Sequence, residues 1–544
     1  MKSFIVSALG ALAVCALGPV ALAAPGGPAD SSLNLPTTPA SDSSERPFEV
    51  ERRESDGSVT IGGRRIDYQA VAGTLLVHPK GWDDVQIDPD KTDKKPDALA
   101  SMFYVAYLAK GVTGPRPITF LYNGGPGSAT VWLHMGAFGP RRIVTADDTH
   151  TGAAPYRVVN NDLSLLDASD LVFIDAPGTG FSRVTGKDVG KAFFNIDGDA
   201  EAFADFITQF LSRFQRWNSP KFLFGESYGT TRDAIVVNIL EQQRDLNFNG
   251  IINLSQILLW EASPDDADRN PGVDLPYELA LPTYAATAWY HHALPNAPKE
   301  LSALITEVEE FATHDYARAL HAGRLLDDAE KQRIAQKLHD YTGLPLEYVL
   351  RTNLRITGGE FTQSLALATD TTIGRLDTRF SGPTMDALAK SAAYDPQEAA
   401  IASAYVSAFN QYVRTDLKYG VDRTYKSGVD SINDNWDFRH KPVGVKHEPW
   451  ITPNILPDLA AAMLYNPGLK VMLNAGYFDL ATPFYEGIFE FDHLPIPQSL
   501  RSNLEVKLYP SGHMVYANAA AHKQLHDNVA DFIRRASSSN PAEH

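Results

Sequence analysis

One stretch, KFLFGESYGTTR (Lys221–Arg232), restricts the possible folds more than any other part of this 544-residue chain. It begins as a short apolar run of the kind that lies in a sheet covered on both faces. The turn Gly225-Glu226-Ser227-Tyr228-Gly229 follows, and a helical pattern starts directly after it. Side chains at the two glycines would clash with the neighbouring helix and strand. A serine between them is lifted clear of the backbone, and the next backbone N–H is left free to face an oxyanion. The glutamate directly before the serine needs a separate reason.

The surrounding pattern is that of a parallel sheet. PITFLYN, DLVFIDAP and KFLFGES are short, apolar and end in polar or glycine-rich loops, and GDAEAFADFITQFLSRFQRW (Gly198–Trp217) repeats apolar residues at three and four. This helix separates two strands, as a crossover unit requires. Upstream, GSVTIGGRRIDYQAVAGTLLV holds a Gly62-Gly63 turn between alternating segments, a hairpin signal. After Ser227, RDAIVVNILEQQ continues as helix and INLSQILLWEA reads as a returning strand. From about Ser263 to Asn466 long helical stretches dominate, and the strand-helix alternation resumes with LKVMLNAGYFD and NLEVKLYPSGH. The expected organisation is a first core segment (47–262), a mainly helical insertion (263–466), a second core segment (467–536) and a disordered tail (537–544).

The amino-terminal residues carry Lys2, an apolar stretch and Ala21-Leu22-Ala23, which predicts a signal peptide over 1–23 and export to the periplasm or medium. Gly18-Pro19 breaks the run, which is short for a membrane span. A Pro/Ser/Ala/Gly-rich leader is expected over 24–46. The single cysteine, Cys15, falls inside the signal, where Val14 is larger than the residue that usually precedes a lipid-anchored cysteine. Removal of the signal leaves no disulfide, thiol nucleophile or cysteine–metal site. A net charge of -18 and the lack of a basic stripe argue against a nucleic-acid partner. No later stretch is apolar enough to span a membrane. DPDKTDKKPD (88–97) is only loosely like a calcium loop, since the required glycine is missing, and no metal or cofactor is expected. An acidic helical insertion is compatible with a monomer or a dimer.

A serine hydroxyl needs a base, and the base an orienting acid. With the nucleophile on a strand-to-helix turn, the chain order is Ser, acid, His, each at a strand's carboxyl end. VMLNAGYFDLATP puts Asp479 after one late strand, and VKLYPSGHMVY puts His513 after the last. A second glycine-rich loop, YNGGPGSAT (Tyr122–Thr130), sits where the other oxyanion donor is expected.

Together Asn123-Gly124-Gly125-Pro126-Gly127, DAPGTGFS (Asp175–Ser182), Gly225–Gly229, the Asp479 loop and Gly512-His513-Met514-Val515 resemble the serine carboxypeptidase family. The resemblance implies an α/β-hydrolase fold: a central, mostly parallel sheet flanked by helices, with a mainly helical cap insertion over the site. It implies Ser227 as nucleophile, His513 as base, Asp479 as its orienter, and Gly125 and Tyr228 as backbone donors to the oxyanion. Asn123, Gly124 and Glu226 would hold the terminal carboxylate of a peptide substrate. Two adjacent carboxylates cannot both ionise cheaply, so Glu226 would be protonated there, and a preference for acidic pH follows. The sequence departs from the family at Leu121, Ser128, Ala137 and Tyr516, where it usually has Trp, Cys, a second glutamate and Pro. These departures leave open an esterase or acyltransferase of the same fold; a non-catalytic binding protein is disfavoured by the complete triad. In the cap, Arg375 and Arg379 are candidates to face the substrate, the alternative being a solvated or ion-paired surface with Asp377.

Overall fold

Apolar side chains alternate between two faces along the central strands, and both faces are covered. The computed structural model describes residues 48, 50–82, 98–265, 267–445 and 452–538; the expected signal, the leader, the acidic run 88–97 and residues 539–544 lie outside these. Strands β1 (Arg52–Ile61), β2 (Arg64–Val77), β3 (Ala98–Ala109), β4 (Ile118–Tyr122), β5 (Asp170–Ile174), β6 (Arg183–Gly186), β7 (Lys221–Glu226), β8 (Gly250–Leu254), β9 (Lys470–Gly476) and β10 (Leu504–Tyr509) form one ten-stranded sheet. Its order is β1-β2-β3-β5-β4-β7-β8-β9-β10, with β6 paired to β3. From β5 to β10 in that order every pairing is parallel, whereas β1, β2 and β3 pair antiparallel. Ile61 opposes Arg64 across the expected hairpin turn, where Gly62 (φ +55°) and Gly63 (φ +78°) adopt the left-handed conformation that glycine permits.

Helices α1 (Ile196–Arg213), α2 (Tyr228–Arg244), α3 (Leu275–Tyr290), α4 (Pro396–Thr415), α5 (Leu456–Tyr465), α6 (Phe484–Asp492) and α7 (Ala519–Ser538) frame the sheet and the site. Ile118, Phe120 and Tyr122 of β4 face the layer built from α1, α2, α5 and α6. Leu121, between them, faces the layer built from α4 and α7. Residues 267–361, α3 among them, pack around a separate apolar cluster that reaches the sheet domain at Leu480. The helical stretch between β8 and β9 therefore divides: its first part makes its own core, while α4 and α5 cover the sheet. Asn195 caps α1 by accepting from the Gly198 N–H at 2.7 Å.

The strand expected over Ile252–Ala262 stops at Leu254. Ser255 turns left-handed (φ +55°), and the Leu258 and Leu259 N–H groups donate to Glu490 at 2.6 and 2.5 Å instead of joining a ladder. Among the described residues no helix is long and apolar enough to cross a membrane.

Phe210 in α1 stacks on Phe214 with ring centroids 4.2 Å apart and meets Tyr104 and Phe120 edge-on at 5.5 and 5.7 Å. Phe210→Ala empties this junction of helix and sheet, and is expected to lower stability by about 3–5 kcal/mol in urea unfolding.

Candidate active site

The chain leaves β4, lays β5 on one side of it and β7 on the other, so the strand order reverses between β4 and β7. Ligand clefts form beyond the carboxyl ends of strands at such a switch point. Here the loop after β4 brings Asn123, Gly124 and Gly125, and the turn after β7 brings Glu226, Ser227 and Tyr228. The two turns touch backbone to backbone: a Cβ on Gly124 would lie 2.4 Å from the Tyr228 nitrogen and 2.7 Å from the Glu226 oxygen. Gly125, at φ +104°, lines the same cavity as Ser227.

Ser227 holds the strained conformation φ +61°, ψ -129°. Its N–H donates to the Leu254 carbonyl at 2.9 Å, which anchors the turn to β8. A Cβ on Gly225 would meet the Gly229 oxygen at 2.3 Å, so nothing larger fits before the turn. Tyr228 opens α2, and its N–H has no acceptor within the helix. Below the turn, Arg232 is 1% exposed. It pairs with Asp199 (2.6 Å), donates to the Asn123 carbonyl (3.0 Å), and packs among the Phe203, Tyr122 and Tyr228 rings. The Tyr122 hydroxyl donates to Asp233 at 2.5 Å. Burial pushes that carboxyl well above the usual range.

The loops after β9 and β10 bring Asp479 and His513 together. His513 Nδ1 donates to Asp479 Oδ2 at 2.8 Å, which leaves Nε2 free to accept a proton. Asp479 is buried and accepts three further hydrogen bonds, from the Ala481 and Thr482 N–H groups (2.9 and 3.0 Å) and the Thr482 hydroxyl (2.8 Å). Burial opposes a charge on His513, but Asp479 and then Glu226 outweigh it and raise the imidazole above its ordinary value. Asn123, Gly124, Gly125, Glu226, Ser227 and His513 line one cavity of about 1060 Å³. Ser227 and His513 share it without a hydrogen bond between them, and bonds of this kind shorten when a substrate is held.

Glu226 is 3% exposed and lines the cavity beside Ser227. The Tyr516 hydroxyl donates to both of its oxygens, at 2.9 and 3.2 Å. Burial pushes the Glu226 carboxyl up to about 7; His513, Tyr516 and Asn123 favour its charged form, and Asp479 opposes it. Among the described residues no group of three His, Cys, Asp or Glu side chains is arranged to hold a metal ion.

The profile of the serine carboxypeptidase family matches residues 92–499. The chain belongs to that family. The matched segment contains Ser227 and Asp479 and ends before His513. A pheromone-processing carboxypeptidase, Kex1 of Cryptococcus gattii, is 26% identical over 186 residues, 34% of this chain and 26% of that relative, so the match spans about a quarter of the relative's length. The crystal structure of Kex1Δp, a prohormone-processing carboxypeptidase from Saccharomyces cerevisiae, superposes with a TM-score of 0.50 at 15% identity. It covers 86% of this chain and 91% of that one. The likeness shows the α/β-hydrolase fold.

The two cap arginines part company. Arg375 lines the cavity, paired through Nε to Asp265 at 2.9 Å. Arg379 does not line it, and the pair it makes with Asp377 is buried rather than solvated, with Nη2–Oδ2 at 2.6 Å. Asp377 also accepts from the Gly512 N–H (3.1 Å), while the Leu376 carbonyl accepts from the His513 N–H (2.7 Å) and the Arg375 carbonyl from the Leu480 N–H (3.0 Å). Residues 375–379 thus join the two loops that carry Asp479 and His513. Neither this role nor the contact of Tyr516 with Glu226 is signalled by any motif.

Asp479→Asn keeps the shape but reverses the hydrogen-bond sense at Nδ1, and is expected to lower kcat about 10⁴-fold. Gly124→Ala forces the two turns apart and should cost at least about 10²-fold in kcat, with the circular dichroism spectrum unchanged.

Proposed function

We propose that the protein is a serine carboxypeptidase that removes the last residue of a peptide. The observation that carries this reading is Glu226, a buried carboxyl that keeps its proton to about pH 7 and stands next to Ser227 in the same cavity. A protonated carboxyl there can donate to a terminal carboxylate, which Asn123 and Gly124 would help to hold. Ser227 Oγ attacks the scissile carbonyl as His513 Nε2 takes its proton. The Gly125 and Tyr228 N–H groups receive the oxyanion. The imidazolium then protonates the departing amine, and water releases the acyl group from Ser227 by the same steps.

Two protonation conditions apply. His513 must be neutral to act as base, and it charges below a value raised above 6.5. Glu226 must be protonated to donate, and it loses its proton above about 7. Activity on peptide acids should therefore decline on the alkaline side through Glu226 and on the acidic side through His513. The pH–rate profile on peptide acids is expected to fall on its alkaline side near pH 7.

A second reading keeps the triad and changes the substrate to an ester or acyl donor. The observation that favours it is Tyr516, which already satisfies both Glu226 oxygens. The deciding experiment compares a blocked dipeptide acid with its C-terminal amide, with Ser227→Ala as the blank. The carboxypeptidase reading expects the acid to be cleaved at least about tenfold faster in kcat/KM, with the advantage fading above about pH 7. Equal rates on acid and amide, or hydrolysis of simple esters alone, would transfer the assignment to the second reading.

A further inference from the structure

Tyr516 is the one large departure from the family pattern that touches the proposed carboxylate site. It follows the His513 loop and is buried, as is Tyr405 on α4. The two rings close over Gly136, in the π-helical turn Leu133–Phe138: a Cβ there would meet Tyr405 Cε1 at 2.6 Å and Tyr516 Cε2 at 2.7 Å. This is beside Ala137, where the family's second glutamate is expected. Two tyrosine rings pack against the backbone next to Ala137, and Glu226 receives a phenol hydroxyl.

We propose that the Tyr516 hydroxyl is a specificity-determining group, which limits how far up the pH scale Glu226 keeps the proton it offers to a substrate carboxylate. A carboxyl partner can share its own proton and titrates with Glu226. A phenol donates at every pH at which the enzyme works, and burial and Glu226 hold it well above its ordinary value. Its hydrogen bond is stronger to the charged form of Glu226, so it pulls the carboxyl down against the desolvation that pushes it up. The other groups facing Glu226 are His513 and Asp479 from the loops after β10 and β9, Asn123 from the loop after β4, and Tyr405 from α4. Of these, His513 and Asn123 favour the anion and Asp479 opposes it. Tyr516 therefore trims the upper edge of the pH range without setting it alone.

The functional half of this proposal rests on the carboxypeptidase reading, so the test has two arms. In the first, the protonated-carboxyl band of Glu226 is followed by infrared difference titration of the full chain, with Glu226→Gln identifying the band. Tyr516→Phe removes the hydroxyl and keeps the ring, and should raise the midpoint by about one pH unit. In the second, the alkaline limb of kcat/KM for the dipeptide acid should move up by the same amount. A midpoint that stays in place overturns the proposal. So does an acid limb that stays put while the infrared midpoint moves. A wild-type enzyme that does not distinguish acid from amide overturns the carboxypeptidase reading and the specificity role with it, whereas the infrared arm still reports whether Tyr516 controls Glu226.

Discussion

The whole site hangs on one contact, the approach of Gly124 to the backbone of the Glu226–Gly229 turn. Asn123, Gly124, Gly125, Glu226 and Ser227 come from these two turns, which meet with no side chain between them. Below the contact lies a cation, Arg232, that would be very costly to bury alone. It is held by Asp199, three aromatic rings and the Asn123 carbonyl, so a charge on α2 reaches across the switch point to the loop after β4. Breaking that pair would strand a charge in the core, which is how a buried ion pair enforces geometry even when it adds little net stability.

Electrostatically, the site turns on two groups that interact, Glu226 and His513. Glu226 favours the charged form of His513, and His513 favours the charged form of Glu226. With one proton between them, the pair can exist as imidazolium and carboxylate or as neutral imidazole and carboxylic acid. Only the second form can both accept from Ser227 and donate to a terminal carboxylate. An incoming anion disfavours a negative Glu226, so on the reading adopted here the substrate itself draws the proton to Glu226 and leaves His513 neutral. Binding and activation of the base become one event.

The sheet and the neighbourhood of Ser227 were legible in the sequence because each depends on local rules. Short continuous apolar runs give β4, β5 and β7, and glycines mark turns where a Cβ has no room. The order of Asp479 and His513 follows from the strand sequence. What escaped depends on distance along the chain. Tyr516 lies 290 residues from Glu226, and in sequence it reads as a missing proline rather than a partner. Arg379 and Asp377 form an i, i+2 pair that looks the same on a surface as in a core; only the packing of the Ser511–Gly512 loop over it decides. The overlong strand at Ile252–Ala262 failed for a related reason. Its residues are apolar enough for a strand, but the left-handed Ser255 and the Glu490 carboxylate that captures the following N–H groups cannot be seen in composition.

Residues 375–379 belong by sequence to the insertion, yet their backbone is stitched to the loops of both Asp479 and His513. The cap is therefore not a detachable module laid over a finished catalytic centre. A lineage of such enzymes cannot trade one cap for another to acquire new substrates without also rebuilding the scaffold of its own base. Diversification should then proceed by changing side chains on the cavity wall, while the short stitch that carries Leu376 and Asp377 travels with the His513 loop as a single inherited unit.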